Sequence, residues 1–207
     1  MRTRIKFCGL TREQDIKAAV AAGADALGFV LWSGSKRAVS IERLAELAQC
    51  VPPFVTRVGL CVDAPLSFIE QAAPHLDLLQ LHGNESPEVC QCSPLPWIKA
   101  LRMASNIDLA RESERFQCAQ GLLLDAWHPA LPGGTGERFD WQRIPGWLAP
   151  RIILAGGLDS TNVASAIQQV APFAVDVSGG IECAPGIKDA ERMHDFAAAV
   201  AAADQLS

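Results

Sequence analysis

The chain has no Lys/Arg-rich run and no basic arm. Over 207 residues, 23 acidic side chains outnumber 18 basic ones, for a formal charge of −5. Nucleic acid and anionic membranes are therefore poor partners, and a site for an anionic ligand must be assembled locally. No apolar stretch approaches the length of a bilayer span. The opening Met1-Arg-Thr-Arg-Ile-Lys6 lacks the apolar core of a secretory signal. Seven cysteines cannot all pair within one chain, and their spacing matches no small disulfide framework. Free thiols in a reducing cytoplasm are the expectation. No Pro/Ser-rich linker or charge block divides the chain, so one domain over 1–207 is expected. Its composition, 49% hydrophobic and 20% charged, suits a globular fold with a substantial core.

What is present is a rhythm: a short apolar run, a Gly/polar turn, then a helical stretch. The apolar runs fall near 5–9, 26–32, 56–63, 78–83, 97–103, 121–127, 151–157 and 174–178. They start roughly 24 residues apart, the length of a compact strand–loop–helix–loop unit. Helices are expected over Arg12 to Ala22, after Ser40 as N-cap, after Ser160-Thr161-Asn162, and from Asp189 to Gln205. Between 84 and 96 only a short helix fits. Strands alternating with helices imply a parallel sheet with right-handed crossovers. Eight of them predict a closed (β/α)8 TIM barrel; an open doubly wound sheet is the rival, weakened by the lack of a dinucleotide fingerprint.

In such a barrel the functional groups gather at the C-terminal ends of the strands. Strand alternation sends every second side chain inward. It turns Ile5 and Phe7 outward and Lys6 and Cys8 inward, and likewise places Gln80, His82, Asp125, Asp176 and Ser178 inside. Polar groups thus converge on one mouth.

Each of these residues also has an ordinary reading. A lone cysteine such as Cys8 often packs as a small inert hydrophobe. An aspartate closing Gly121-Leu-Leu-Leu-Asp125 loses water above the apolar core, which favours its proton-donating form, but it also suits an ion pair or a loop cap. Arg37 suits a carboxylate or solvent, and His82 a ligand or a satisfied interior position. The pairs Gly156-Gly157 and Gly179-Gly180 follow the seventh and eighth strands, where backbone N–H groups commonly hold phosphate; either alone could be a turn. Gly133-Gly134-Thr135-Gly136 reads as a mobile loop over the sixth strand's end, or as a plain connection. Cys90 and Cys92 lack a second ligand pair, so no metal site is expected. Cys61 is expected to line the barrel, and Cys50, Cys118 and Cys183 to pack or lie at the surface.

Several stretches closely resemble the phosphoribosylanthranilate isomerase family of tryptophan biosynthesis. They are Lys6-Phe-Cys-Gly-Leu-Thr11, Gly23-Ala-Asp-Ala-Leu-Gly-Phe29, Gln80-Leu-His-Gly83, Leu124-Asp-Ala126 with Pro132-Gly-Gly-Thr-Gly136, Leu154-Ala-Gly-Gly-Leu158, Asp176 through Glu182, and Pro185-Gly-Ile-Lys-Asp189. The resemblance implies a cofactor-free barrel, monomeric or homodimeric, that performs an Amadori rearrangement on a small phosphorylated aminosugar. It implies Cys8 as general base, Asp125 as general acid, Arg37 as anchor for the anthranilate carboxylate, and the two glycine loops as the phosphate site. Two positions depart from the family's pattern. Ala38 stands where an aromatic often follows the arginine, and Ser178-Gly179-Gly180 replaces Ser-Ser-Gly, removing one hydroxyl from the phosphate loop. The alternatives are another phosphosugar barrel, such as the histidine-pathway aldose–ketose isomerase or indoleglycerol-phosphate synthase, and a phosphate-binding barrel without catalysis.

Overall fold

Eight short parallel strands close on themselves in chain order. They are β1 (Arg4–Cys8), β2 (Ala26–Val30), β3 (Thr56–Cys61), β4 (Leu78–Leu81), β5 (Trp97–Arg102), β6 (Leu122–Asp125), β7 (Ile152–Leu154) and β8 (Ala174–Val177). The computed structural model describes residues 2–126 and 139–206. Closure runs through β1 and β8, which align Lys6 with Asp176.

The expected alternation is realised. Ile5, Phe7, Leu79, Leu81, Leu122, Leu124, Val175 and Val177 pack in the main core between barrel and helices. A second apolar cluster, with Ile98, Ala100, Leu123, Ile153, Ala155 and Ala174, comes from the opposite strand faces and fills the barrel. Cys61 is a correction: it is fully buried in the outer layer, because Leu60 and Val62 take the inward positions around it.

The outer layer contains α1 (Glu13–Ala21), α2 (Ile41–Ala48), α3 (Leu66–Ala72), α4 (Pro87–Gln91), α5 (Leu109–Arg115), α6 (Val163–Val170) and α7 (Ala190–Asp204). Ser40 caps α2 by accepting from the Arg43 N–H. Asp189 caps α7 by accepting from the N–H groups of Glu191 and Arg192. The short α4 meets the expectation for residues 84–96. At the far end of α7, Asp204 accepts from the Thr3 N–H and hydroxyl, tying the last helix to the first strand.

Before β7 the described residues depart from the strand–helix rhythm. Among the described residues there, only 3₁₀ turns form, at Trp141–Arg143 and Gly146–Arg151. Pro145 and Pro150 each remove an N–H and obstruct an i→i−4 ladder. After β8 the chain adds a small antiparallel hairpin, β9 (Glu182–Ala184) and β10 (Ile187–Lys188), before α7. That hairpin returns two charged residues to the barrel mouth.

Candidate active site

A pocket of about 430 Å³ opens over the C-terminal ends of the strands. Cys8, Arg37, Gln80, His82, Asp125, Gly156, Gly157, Ser178, Gly179 and Gly180 all line it. Every described candidate therefore reaches one cavity. Gly133, Gly134, Thr135 and Gly136 lie outside the described residues.

On the β1 side, Cys8 is buried, with Lys6 within hydrogen-bond reach of its sulfur. Burial pushes the Cys8 thiol up, and the Lys6 ammonium only partly offsets this. Lys6 donates to Asp176 at 2.5 Å. Burial alone would lower Lys6, but the charges of Asp176 and Cys8 more than reverse it, so its ammonium is firmly held. Lys6 is thus largely committed to Asp176 and only partly available to Cys8. Space for the sulfur comes from β2. A Cβ at Gly28 would fall 2.7 Å from Cys8 Sγ and 3.2 Å from Lys6 Nζ.

On the opposite side, Asp125 Oδ1 accepts the Ala126 N–H at 2.9 Å. Its Oδ2 lies 3.4 Å from His82 Nε2. Gln80 Nε2 is 2.8 Å from His82 Nδ1.

The glycine loops need their glycines at specific points. Gly156 has φ +84°, and a Cβ there would come within 2.6 Å of the Ala126 N. At Gly180 a Cβ would lie 2.1 Å from the Leu158 carbonyl, so the seventh and eighth loops pack backbone to backbone. Facing them, Arg37 donates through Nε and Nη2 to both carboxylate oxygens of Glu182, each at 2.7 Å. Glu182 also accepts from Lys188 Nζ at 2.8 Å, and Lys188 donates to the Ser178 carbonyl beneath the eighth loop. Burial would push Glu182 up, but Arg37 and Lys188 hold its carboxyl below the usual range. Paired this way, Arg37 keeps Nη1 free of Glu182.

The chemistry this arrangement offers is specific: a dry thiol and a carboxyl facing one cavity, with a guanidinium and a backbone cradle for two anions. A family model described as N-(5'phosphoribosyl)anthranilate (PRA) isomerase matches residues 5–199. The chain belongs to that family.

Among its relatives is the N-(5'-phosphoribosyl)anthranilate isomerase of Chromohalobacter salexigens. It is 64% identical over 195 residues, covering 94% of this chain and 92% of the relative. Among solved structures, the phosphoribosyl anthranilate isomerase of Thermus thermophilus superposes with a TM-score of 0.84 at 36% identity, covering 97% of this chain and 99% of that one. A phosphoribosyl anthranilate isomerase in complex with reduced 1-(o-carboxyphenylamino)-1-deoxyribulose 5-phosphate gives a TM-score of 0.78 at 35% identity, with the same coverage.

Within the PRA isomerase family the two departures acquire a structural context. Ala38 is exposed and does not line the pocket, whereas Trp32 does. Gly28, Val30 and Trp32 share the inward parity of β2 and its extension, a signal that was available in the apolar run but not used. Gly179 is open: a Cβ there would meet only Arg37 Nη2, at 3.7 Å. Glu182 and Lys188 were not singled out as site residues, because their placement depends on the hairpin after β8. No helix among the described residues is long and apolar enough to cross a membrane.

Proposed function

We propose that this pocket converts N-(5'-phosphoribosyl)anthranilate to 1-(2-carboxyphenylamino)-1-deoxyribulose 5-phosphate, an aldose–ketose isomerisation in tryptophan biosynthesis, with Asp125 as acid and Cys8 as base. The observation that carries the reading is the convergence of Cys8 and Asp125, three strand positions apart around the ring, on one cavity beside both glycine loops. Family membership and the product analogue bound by a relative support the substrate class.

The protonated Asp125 carboxyl gives its proton to the furanose ring oxygen as the C1–O bond breaks, leaving an iminium at C1. Cys8 as thiolate then takes the C2 proton, and the C–H electron pair forms the C1=C2 bond of an enolamine. Tautomerisation takes the 2-hydroxyl proton off oxygen and puts a proton on C1, giving the ketone, and the proton that Cys8 took from C2 returns through solvent to Asp125, restoring both groups. Burial favours the thiol form of Cys8 before substrate binds. The developing iminium cation is then the partner that stabilises its thiolate, since a nearby positive charge favours the ionised form. Arg37 offers Nη1 to the anthranilate carboxylate, and Trp32 stands beside it on the same wall. The Gly156-Gly157 and Ser178-Gly179-Gly180 loops take the phosphate through backbone N–H groups.

One catalytic domain spans the chain, working in the cytoplasm as a monomer or a homodimer. The free thiols fit a reducing compartment, and a Thermotoga maritima relative is described as dimeric. Expression of this chain in a tryptophan auxotroph blocked at this step tests the function. Growth without tryptophan is the expected result; failure to grow despite folded protein would overturn it.

A further inference from the structure

The acid side of the pocket contains two buried polar atoms with no hydrogen-bond partner among the described residues, Gln80 Oε1 and His82 Nε2. Both residues are almost wholly buried, Gln80 at 1% and His82 at 5% exposure. The His82 backbone is held at both ends: its N–H donates to the Cys61 carbonyl and its carbonyl accepts from Arg102 Nη2. What varies at this residue is therefore the ring and its proton. We infer that Gln80 is a positioning residue which fixes His82 as a neutral ring with its proton on Nε2, so that His82 supports the carboxylate Asp125 becomes on giving up its proton.

The Gln80 amide nitrogen can only donate, and it sits 2.8 Å from His82 Nδ1. Nδ1 must then present its lone pair, which leaves the ring proton on Nε2. A doubly protonated ring would set Nδ1–H against the amide N–H, so the same contact disfavours an imidazolium. Turning the amide round would relieve Oε1, but would bury an unpaired NH2 with two donors in its place, which costs more.

Asp125 Oδ2 lies 3.4 Å from Nε2. The other oxygen already accepts the Ala126 N–H. Before proton transfer, Asp125 needs little help; afterwards it is a buried anion with one donor among the described residues. A small approach of the ring brings Nε2–H into hydrogen-bond range and supplies the second. A neutral donor suits this better than an imidazolium, which would hold Asp125 ionised from the start and spoil it as an acid. No proton passes through His82. Its Nε2–H bond stays intact while the Asp125 O–H bond breaks.

This rests on the reading of Asp125 as the acid, but its test does not depend on turnover. In protein labelled with ¹⁵N-histidine, with His82→Asn used to assign the signals, the His82 ring of the wild type is expected to show a protonated Nε2 and a bare Nδ1. Gln80→Glu, which presents an acceptor, is expected to protonate both nitrogens. Gln80→Met is expected to give mixed tautomers, with kcat lower by about tenfold and KM within about twofold, in a protein of native circular dichroism. A wild-type ring protonated on Nδ1 would overturn the inference, as would a Gln80→Met ring and kcat unchanged from wild type. Loss of turnover in Asp125→Asn tests the acid itself, so the two failures are distinguishable.

Discussion

The two sides of the barrel mouth are built on opposite principles. On the β1 and β8 side, Cys8 sits beside a closed ion pair, Lys6 with Asp176, in space that the missing Cβ of Gly28 leaves for the sulfur. On the β4 and β6 side, Asp125 faces the His82 imidazole, itself held by the Gln80 amide, and two polar atoms have no partner among the described residues. In the mechanism we propose, the difference follows the order of events: the Cys8 thiol waits for the substrate's positive charge, and Asp125 gains its second donor only after giving up its proton. A fully paired Asp125 would already be spent as an acid, and an isolated Cys8 would have nothing to hold its geometry.

Disturbing the crowded side is the most damaging way to break this contrast. Gly28→Ala places a methyl 2.7 Å from the Cys8 sulfur, and the sulfur must move. A displacement of this order costs about a hundredfold in kcat/KM, measurable by steady-state assay alongside an unfolding curve that shows the barrel intact. Retention of wild-type kcat/KM would mean that the sulfur's position is not critical.

The next effect concerns proton affinity on the same side. Burial raises the Cys8 thiol, so the thiolate fraction of the free enzyme grows only as pH climbs past the ordinary thiol range. Between pH 7 and 8, alkylation of Cys8 by iodoacetamide is expected to rise about tenfold, without levelling off near pH 8.5. Subtracting the rate for Cys8→Ala removes the contribution of the other cysteines. A plateau below pH 8 would instead mean that Lys6 has activated the thiol before substrate arrives.

The smallest effect is expected at the phosphate loop. Gly179→Ser adds a hydroxyl where a Cβ meets nothing closer than 3.7 Å. Protein stability should be unchanged and KM should fall by no more than about twofold, because a hydroxyl adds only one modest hydrogen bond to backbone donors already in place. A large change in kcat would contradict this, since a Cβ at Gly179 comes within 4 Å of Arg37 alone and of neither Cys8 nor Asp125.

Much of this architecture was legible in the chain because it is governed by a period of two. Parity alone placed Cys8, Gln80, His82, Asp125 and Ser178 on the inner face, and all five line the pocket. The same rule, followed one step past the end of β2, points to Trp32, and applied to β3 it turns Cys61 outward. The remaining misses have other physical causes. Pro145 and Pro150 keep the described residues before β7 to short 3₁₀ turns. Glu182 and Lys188 meet Arg37 and Ser178 only through a hairpin whose folding back is a matter of long-range ion pairing. Strand periodicity contains no trace of such contacts. The roles of Cys8 and Asp125 came from family likeness; alternation gave only their location.

The central claim is that one substrate is handled from both sides of the mouth, by Cys8 and by Asp125. It is tested most directly by following the fluorescence of phosphoribosylanthranilate with wild type, Cys8→Ala and Asp125→Asn at matched folded concentration. The account predicts rapid loss of signal in the wild type, and a fall of about a thousandfold or more in each variant. Turnover at the wild-type rate in either variant would contradict it.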